Sequence, residues 1–195
     1  MSALLQKLGV PRNVRLFFEP YMKVLPDGSL TFLFENAAEH FSTDLHLVPV
    51  ALDPWIAGSG PLLFYSHSAM EAIAFLTLNV QRFPDLSLLR FVAIGHHLPQ
   101  LPRFPYAKCA LLFGSDTMGR IWDIWAAVQL CGKEVSISYS KERYRFNLIN
   151  RSITLLEDRL SLQSFERAAG LRSRIRTYKT AKPYQTFLEL LTNKL

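Results

Sequence analysis

Two cysteines in 195 residues, Cys109 and Cys131, are too few for a disulfide scaffold. Both sit in apolar stretches, AKCALLF and AAVQLCG, which fits buried, reduced thiols in a cytoplasmic chain. No closely spaced set of Cys and His provides a structural zinc site. No uncharged apolar run approaches the roughly 20 residues that span a bilayer, and the start MSALLQKLGVPRNVR lacks the apolar centre of a signal peptide, so no membrane association is expected. The glycines complete neither GxGxxG nor GxxxxGK[ST], and no serine lies in GxSxG, which argues against a dinucleotide site, a Walker-type site and a nucleophile elbow. Internal repeats and low-complexity segments are absent as well.

What is present is apolar material. Hydrophobic residues make up 49% and charged residues 19%, enough for a packed core and too little polarity for disorder. The net charge of +6 is uneven: residues 141 to 195 hold 12 basic and 5 acidic side chains, against 10 and 11 before them. A polyanionic partner is therefore sought in the C-terminal part.

Two apolar-rich runs flank Pro26, Asp27 and Gly28, which predicts a β-hairpin over residues 13 to 35. Prolines 49 and 54 and the GSGP cluster at 58 to 61 mark the end of an N-terminal cap, so residues 1 to 60 read as hairpin and cap. Beyond them the pattern alternates. LLFYS (62 to 66), LLRFVAIG, CALLFG (109 to 114) and EVSISY (134 to 139) read as strands, and residues 69 to 80 and 117 to 131 as helices. This order predicts an α/β core at 61 to 140, a mainly parallel central sheet flanked by helices. Residues 141 to 195 form a basic C-terminal extension packed on that core. In it RYRFNLI reads as a strand, SLQSFERAAG as a helix stopped by Gly170, and PYQTFLELLTNKL as a terminal helix with Pro183 in its first turn.

In a parallel sheet, ligands collect beyond the carboxyl ends of the strands. There the sequence offers His67, Ser68, His96, His97, Gly114, Ser115 and Asp116. Asp116 suits either a divalent cation or the cap of the following helix, and Arg120 and Asp123 extend it as an ion-pair ladder. His67, His96 and His97 are either transition-metal ligands or solvated loop residues. In the tail, Arg172, Arg174, Arg176, Lys179 and Lys182 are interleaved with Tyr178 and Tyr184, a pattern that serves either phosphate contact and base stacking or an ordinary solvated face.

Residues 62 to 140 resemble the Toprim domain of bacterial primases, topoisomerases and mobile-element proteins. LLFYSHSAMEAIAFL is similar to the family's first motif, with His67 where a glutamate ends the strand. LLFGSDTMGRIWD is similar to the DxD motif, with Gly114 and Asp116 at the two aspartates and Gly119 and Arg120 following. The resemblance implies a primase-related, Toprim-like protein. It also implies lost catalysis, since the family's glutamate acts as general acid or base and its aspartates hold magnesium, and only Asp116 remains. Glu71, one turn past His67, is a substitute carboxylate on a helix face away from the strand end. No cofactor is expected, and magnesium at most weakly, through Asp116 with His67. The first reading is a catalytically degenerate protein binding DNA or RNA, through Arg120, Arg172, Arg174, Arg176 and Lys179, or a replication or mobile-element protein partner. The alternatives are a metal-dependent nuclease or nucleotidyl-transfer enzyme with an altered site that includes His67 and Asp116, and a protein-interaction module presenting Trp55, Trp122 and Trp125, the last two of which have core spacing.

Overall fold

The computed structural model describes residues 2–96, 100–104 and 107–194. The chain opens with helices α1 (Ala3–Lys7) and α2 (Arg12–Phe18), followed by a 3-10 turn at Glu19–Tyr21. Four short strands come next, β1 (Lys23–Val24), β2 (Leu30–Leu33), β3 (Ala38–Phe41) and β4 (His46–Leu47), paired in that order as an antiparallel sheet. The turn between β1 and β2 is the expected one: Asp27 Oδ1 accepts from the Ser29 amide at 2.9 Å, and Gly28 takes φ +84°. The first arm of the expected hairpin is instead helical. Val14 and Phe18 recur at a spacing of four and are both buried, with Phe18 packed on Trp55 and Phe91. A strand would have set Leu16 on the same face as these two, whereas Leu16 is 47% exposed.

The main sheet holds β5 (Trp55–Gly58), β6 (Leu62–Ser66), β7 (Leu89–Ala93), β8 (Lys108–Leu111) and β12 (Arg176–Thr177), in the order β12-β8-β6-β7-β5. β12, β8, β6 and β7 are parallel, and β5 lies antiparallel on the β7 edge. The sheet is thus mixed, and it draws one strand from before residue 61 and one from after residue 140. β6 is central and almost wholly buried, which its apolar run LLFYS permits on both faces.

Helix α3 (Ala69–Asn79) follows β6, and α4 (Thr117–Leu130) follows β8. Residues 69 to 76 of α3 are all buried, and its alanines let it approach β6, β7 and α6 (Phe187–Thr192) closely. A second layer of core lies on the opposite face, where Leu63, Tyr65, Val92, Leu111 and Phe113 meet Ala126 of α4.

The expected fourth parallel strand is a correction. β9 (Ser136–Ser140) pairs antiparallel with β10 (Arg143–Leu148), which pairs with β11 (Arg151–Leu156) in a separate three-stranded sheet. No residue of β9 is buried, and a strand inside a parallel sheet is covered on both faces. The vacated place on β8 goes to β12, whose Arg176 and Thr177 oppose Ala110 and Leu111. The small sheet packs Phe146 and Ile153 against α4 and α5 (Leu162–Ala169). As expected, α5 stops at Gly170, which is left-handed at φ +59°. The terminal helix begins later than Pro183, at Phe187, because Thr186 Oγ1 accepts from the Glu189 amide and Glu189 Oε2 accepts from the Gln185 amide. Among the described residues, no helix is long and apolar enough to cross a membrane.

Candidate functional site

The carboxyl ends of β6 and β8 lie side by side, so the residues that follow them share one edge. His67 faces inward there. Its ring packs 4.8 Å from Phe113 and 5.0 Å from Trp122, and its Nδ1 lies 3.4 Å from the Gly95 carbonyl. Burial pushes its pKa down to about 4, so the ring is neutral near pH 7. His96 lies 6.4 Å from it, ring centre to ring centre, and His97 lies outside the described residues. Among the described residues no group of three His, Cys, Asp or Glu side chains is arranged to hold a metal ion.

Asp116 caps α4: its Oδ1 accepts from the Gly119 amide at 2.7 Å. Gly119 is required by the same turn, since a Cβ there would collide with the Gly114 carbonyl. Gly119→Ala is expected to lower stability by about 1 to 3 kcal/mol, read by chemical denaturation, because backbone must shift rather than a flexible side chain. At Gly114 an added Cβ would stand 3.0 Å from Asp116 Oδ1 and 3.1 Å from the Gln185 carbonyl. An aspartate at this position would therefore crowd both groups.

The edge itself is filled by the chain. Lys179 Nζ donates to the carbonyls of Phe113 at 2.8 Å and Gly114 at 2.7 Å, and it lies 2.6 Å from Asp123 Oδ2. These three oxygens match the ammonium's three hydrogens. Asp123 is 2% exposed, its Oδ1 has no hydrogen-bond partner among the described residues, and burial raises its pKa to about 6 despite the neighbouring Lys179 and Arg120. The expected ladder of Asp116, Arg120 and Asp123 is thus replaced by a bond between helix and tail. Arg120 instead donates from Nε to the Ser115 carbonyl at 3.0 Å. Ser115 is tied to the tail through its amide, 2.7 Å from the Gln185 carbonyl, and through its hydroxyl, 3.2 Å from the Tyr184 carbonyl. Ser66 is buried and donates to the Ser68 carbonyl, and Ser68 caps α3.

Glu71, expected on a face away from the strand end, is buried beside it, lining one cleft with His67 and Gly114, and its two oxygens accept from the amides of Phe187 and Leu188 at 3.0 and 3.1 Å. Burial pushes its pKa up, and the amides oppose that shift. Glu39, a residue no motif singles out, plays the same part for α3. It is fully buried, accepting from the amides of Ala69 at 2.7 Å and Met70 at 3.1 Å, with His46 Nε2 at 3.0 Å.

Two clefts remain. One, of about 1550 Å³, opens beside the start of α4, where the cations Arg120, Arg159, Lys179 and Lys182 share the walls with five carboxylates, including Asp116, Glu142 and Glu157. The other, of about 920 Å³, lies at the amino ends of β6, β8 and β12. Arg103, Lys108, Arg174 and Arg176 line it, and no carboxylate does. Its floor includes Phe64, Phe83, Phe104 and Tyr178. Arg176 lies 5.7 Å over the Tyr178 ring and donates to its hydroxyl at 3.2 Å. Cys109 and Cys131 also line this cleft; Cys109 is half-buried and Cys131 exposed rather than both buried as expected, and partial burial raises both thiol pKa values.

The five cations marked in the sequence are therefore divided. Arg174 and Arg176 line the amino-edge cleft, Arg172 is exposed and lines neither cleft, and Arg120 and Lys179 lie at the opposite edge among carboxylates. Trp55 is buried, and Trp122 and Trp125 are partly buried where they pack on the second core layer. Sequence reasoning missed Arg103 and Lys108 because nothing in the chain order connects them with residues 174 and 176. Comparison with family models, with curated proteins and with solved structures finds no match to this chain.

Proposed function

We propose that the chain is a primase-related, Toprim-like protein in which metal-dependent catalysis has been lost and binding of nucleic acid retained. The observation that carries this reading is the use of Lys179. Its ammonium sits on the strand-end carbonyls and on Asp123, where metal chemistry on a parallel sheet would need open oxygen ligands. The neutral, half-buried His67 and the crowded Gly114 supply none. The adjacency of β6 and β8, each followed by a helix, agrees with the resemblance, and the exposed Arg172, Arg174 and Arg176 support the binding half.

The test is titration of the chain with single- and double-stranded DNA and RNA across a salt series. Affinity is expected to fall as salt rises. In an Arg172, Arg174 and Arg176 triple glutamine variant the slope of log affinity against log salt should flatten by about 0.7 to 0.9 for each phosphate that no longer meets a cation. Magnesium should bring no strand cleavage or primer synthesis. Activity abolished by Asp116→Ala would overturn the loss of catalysis, and absence of binding even at low salt would overturn the nucleic-acid reading. A protein-docking role is the second reading, favoured by the exposed apolar side chains of Leu45, Leu47, Val50 and Leu52 on one segment.

A further inference from the structure

We propose that the cleft at the amino edge of the main sheet is the binding site for a single strand of nucleic acid, with phosphates on its basic rim and a base over its aromatic floor. This rests on the nucleic-acid reading and goes further by assigning the seat and the strandedness. The site lies at the sheet edge opposite to the one filled by Lys179.

The rim is assembled by the fold. Arg103 and Lys108 belong to the connection into β8, whereas Arg174 and Arg176 belong to the approach to β12, and the parallel pairing of Arg176 with Ala110 brings the two segments together. All four side chains are exposed, and none has an ion pair among the described residues. A cluster of exposed cations with no carboxylate in the wall gives the cleft a positive potential that attracts an anion. Arg174 adds a second sign of construction. Its backbone is left-handed at φ +59°, a region ordinary side chains rarely adopt, and Ser173 beside it is anchored by donating from its amide to Glu166 Oε1 at 2.7 Å.

The floor decides between single and double strands. Phe104, with Arg90 4.5 Å over its ring, and Tyr178, with Arg176 over its own, line the cleft beside Phe83, and a base can meet such ring and guanidinium planes only when unstacked from its neighbours. A duplex keeps its base faces covered and would reach only the rim. The volume of about 920 Å³ is within the range of ligand-sized clefts. The competing role for the cations is to offset the carbonyl end of α4, whose Leu130 lines the same cleft. That role predicts an effect on stability and none on a ligand.

The experiment uses the full chain, a labelled oligo-dT and a duplex of equal length, with three sets of substitutions and thermal melting as a control. Arg103→Gln with Lys108→Gln, far in sequence from the tail, is expected to weaken oligo-dT binding about tenfold or more near physiological salt. It should also flatten the salt slope by about 1.4, with little change in melting temperature. Phe104→Leu is expected to weaken oligo-dT about five- to tenfold without changing the slope. Oligo-dT should also protect Cys131 of the unaltered chain from alkylation, a readout that needs no substitution. Equal binding of the Arg103 and Lys108 variant would overturn this seat whatever the Arg172, Arg174 and Arg176 variant does, since Arg174 and Arg176 share the rim, and binding lost in that second variant alone would leave the nucleic-acid reading intact. Tighter binding of the duplex, or a lowered melting temperature with unchanged affinity, would also overturn it. Failure of the unaltered chain to bind any nucleic acid would remove both.

Discussion

Replacement of Lys179 by methionine is expected to destabilise the protein by about 2 to 4 kcal/mol near neutral pH. The substitution strands a carboxylate that is 2% exposed and withdraws the donor from two carbonyls. The lower end of that range allows for the lysine side chain, which is 29% exposed and partly screened by water. Dependence on pH separates this cause from a packing defect. Asp123 has a folded pKa raised to about 6 from an ordinary 3.8, so the folded state holds the proton more tightly than the unfolded chain does. Its contribution to stability is therefore greatest when it is protonated, declines as pH rises through that window and is constant above it. Without Lys179 the carboxyl pKa rises further. The deficit of the variant should be widest above the window and should shrink on acidification to about pH 5. Urea unfolding at the two pH values measures this, and Lys179→Met combined with Asp123→Asn should recover much of the loss. Equal deficits at both pH values would rule out the buried charge as the cause.

Glu39→Ala is expected to cost about 3 to 5 kcal/mol, since two amides of α3 lose a carboxylate acceptor at a position that is 0% exposed. Glu39→Gln keeps one acceptor oxygen and should cost about half as much. The loss should be visible locally. Amide exchange at Ala69 and Met70 is expected to speed up before exchange in β6 does, because the helix start opens ahead of the strand. Unaltered unfolding of the alanine variant would show that the two amides find other partners.

The parts of the fold readable from the chain were those whose determinants are contiguous. β6 is a five-residue apolar run, and α3 and α4 each follow a capping residue, Ser68 and Asp116, so their starts are marked locally. The alternation in RYRFNLI likewise foretold β10. α2 was ambiguous because Leu16, Phe17 and Phe18 follow Val14 so densely that a short window fits either period. β12 was unreadable in principle. Two residues, Arg and Thr, carry no hydrophobic period, and only their pairing with β8 makes them a strand. At the candidate sites, Asp116 was legible as a cap because its partner is three residues away. Glu71 binds the amide of Phe187, 116 residues on, and Lys179 binds the carbonyl of Gly114, 65 residues back, so no local pattern announces either bond. The rim cations near positions 103 and 174 share this property, whereas the charge excess of the C-terminal part was evident without knowing where the fold would carry it.

The pairing of β8 with so distant and short a strand has a consequence for biosynthesis. A chain emerging from the ribosome can assemble β5, β6, β7 and β8 well before Arg176 and Thr177 exist, and in that interval the outer edge of β8 presents unpaired amides and carbonyls. Closing so long a loop is entropically slow, which lengthens the interval. The nascent protein passes through a stage with a free, apolar sheet margin, Cys109-Ala110-Leu111, guarded at its entrance by the charge of Lys108. Ribosome-stalled or prematurely ended chains that stop short of β12 are the forms expected to recruit holdase chaperones or to pair with one another.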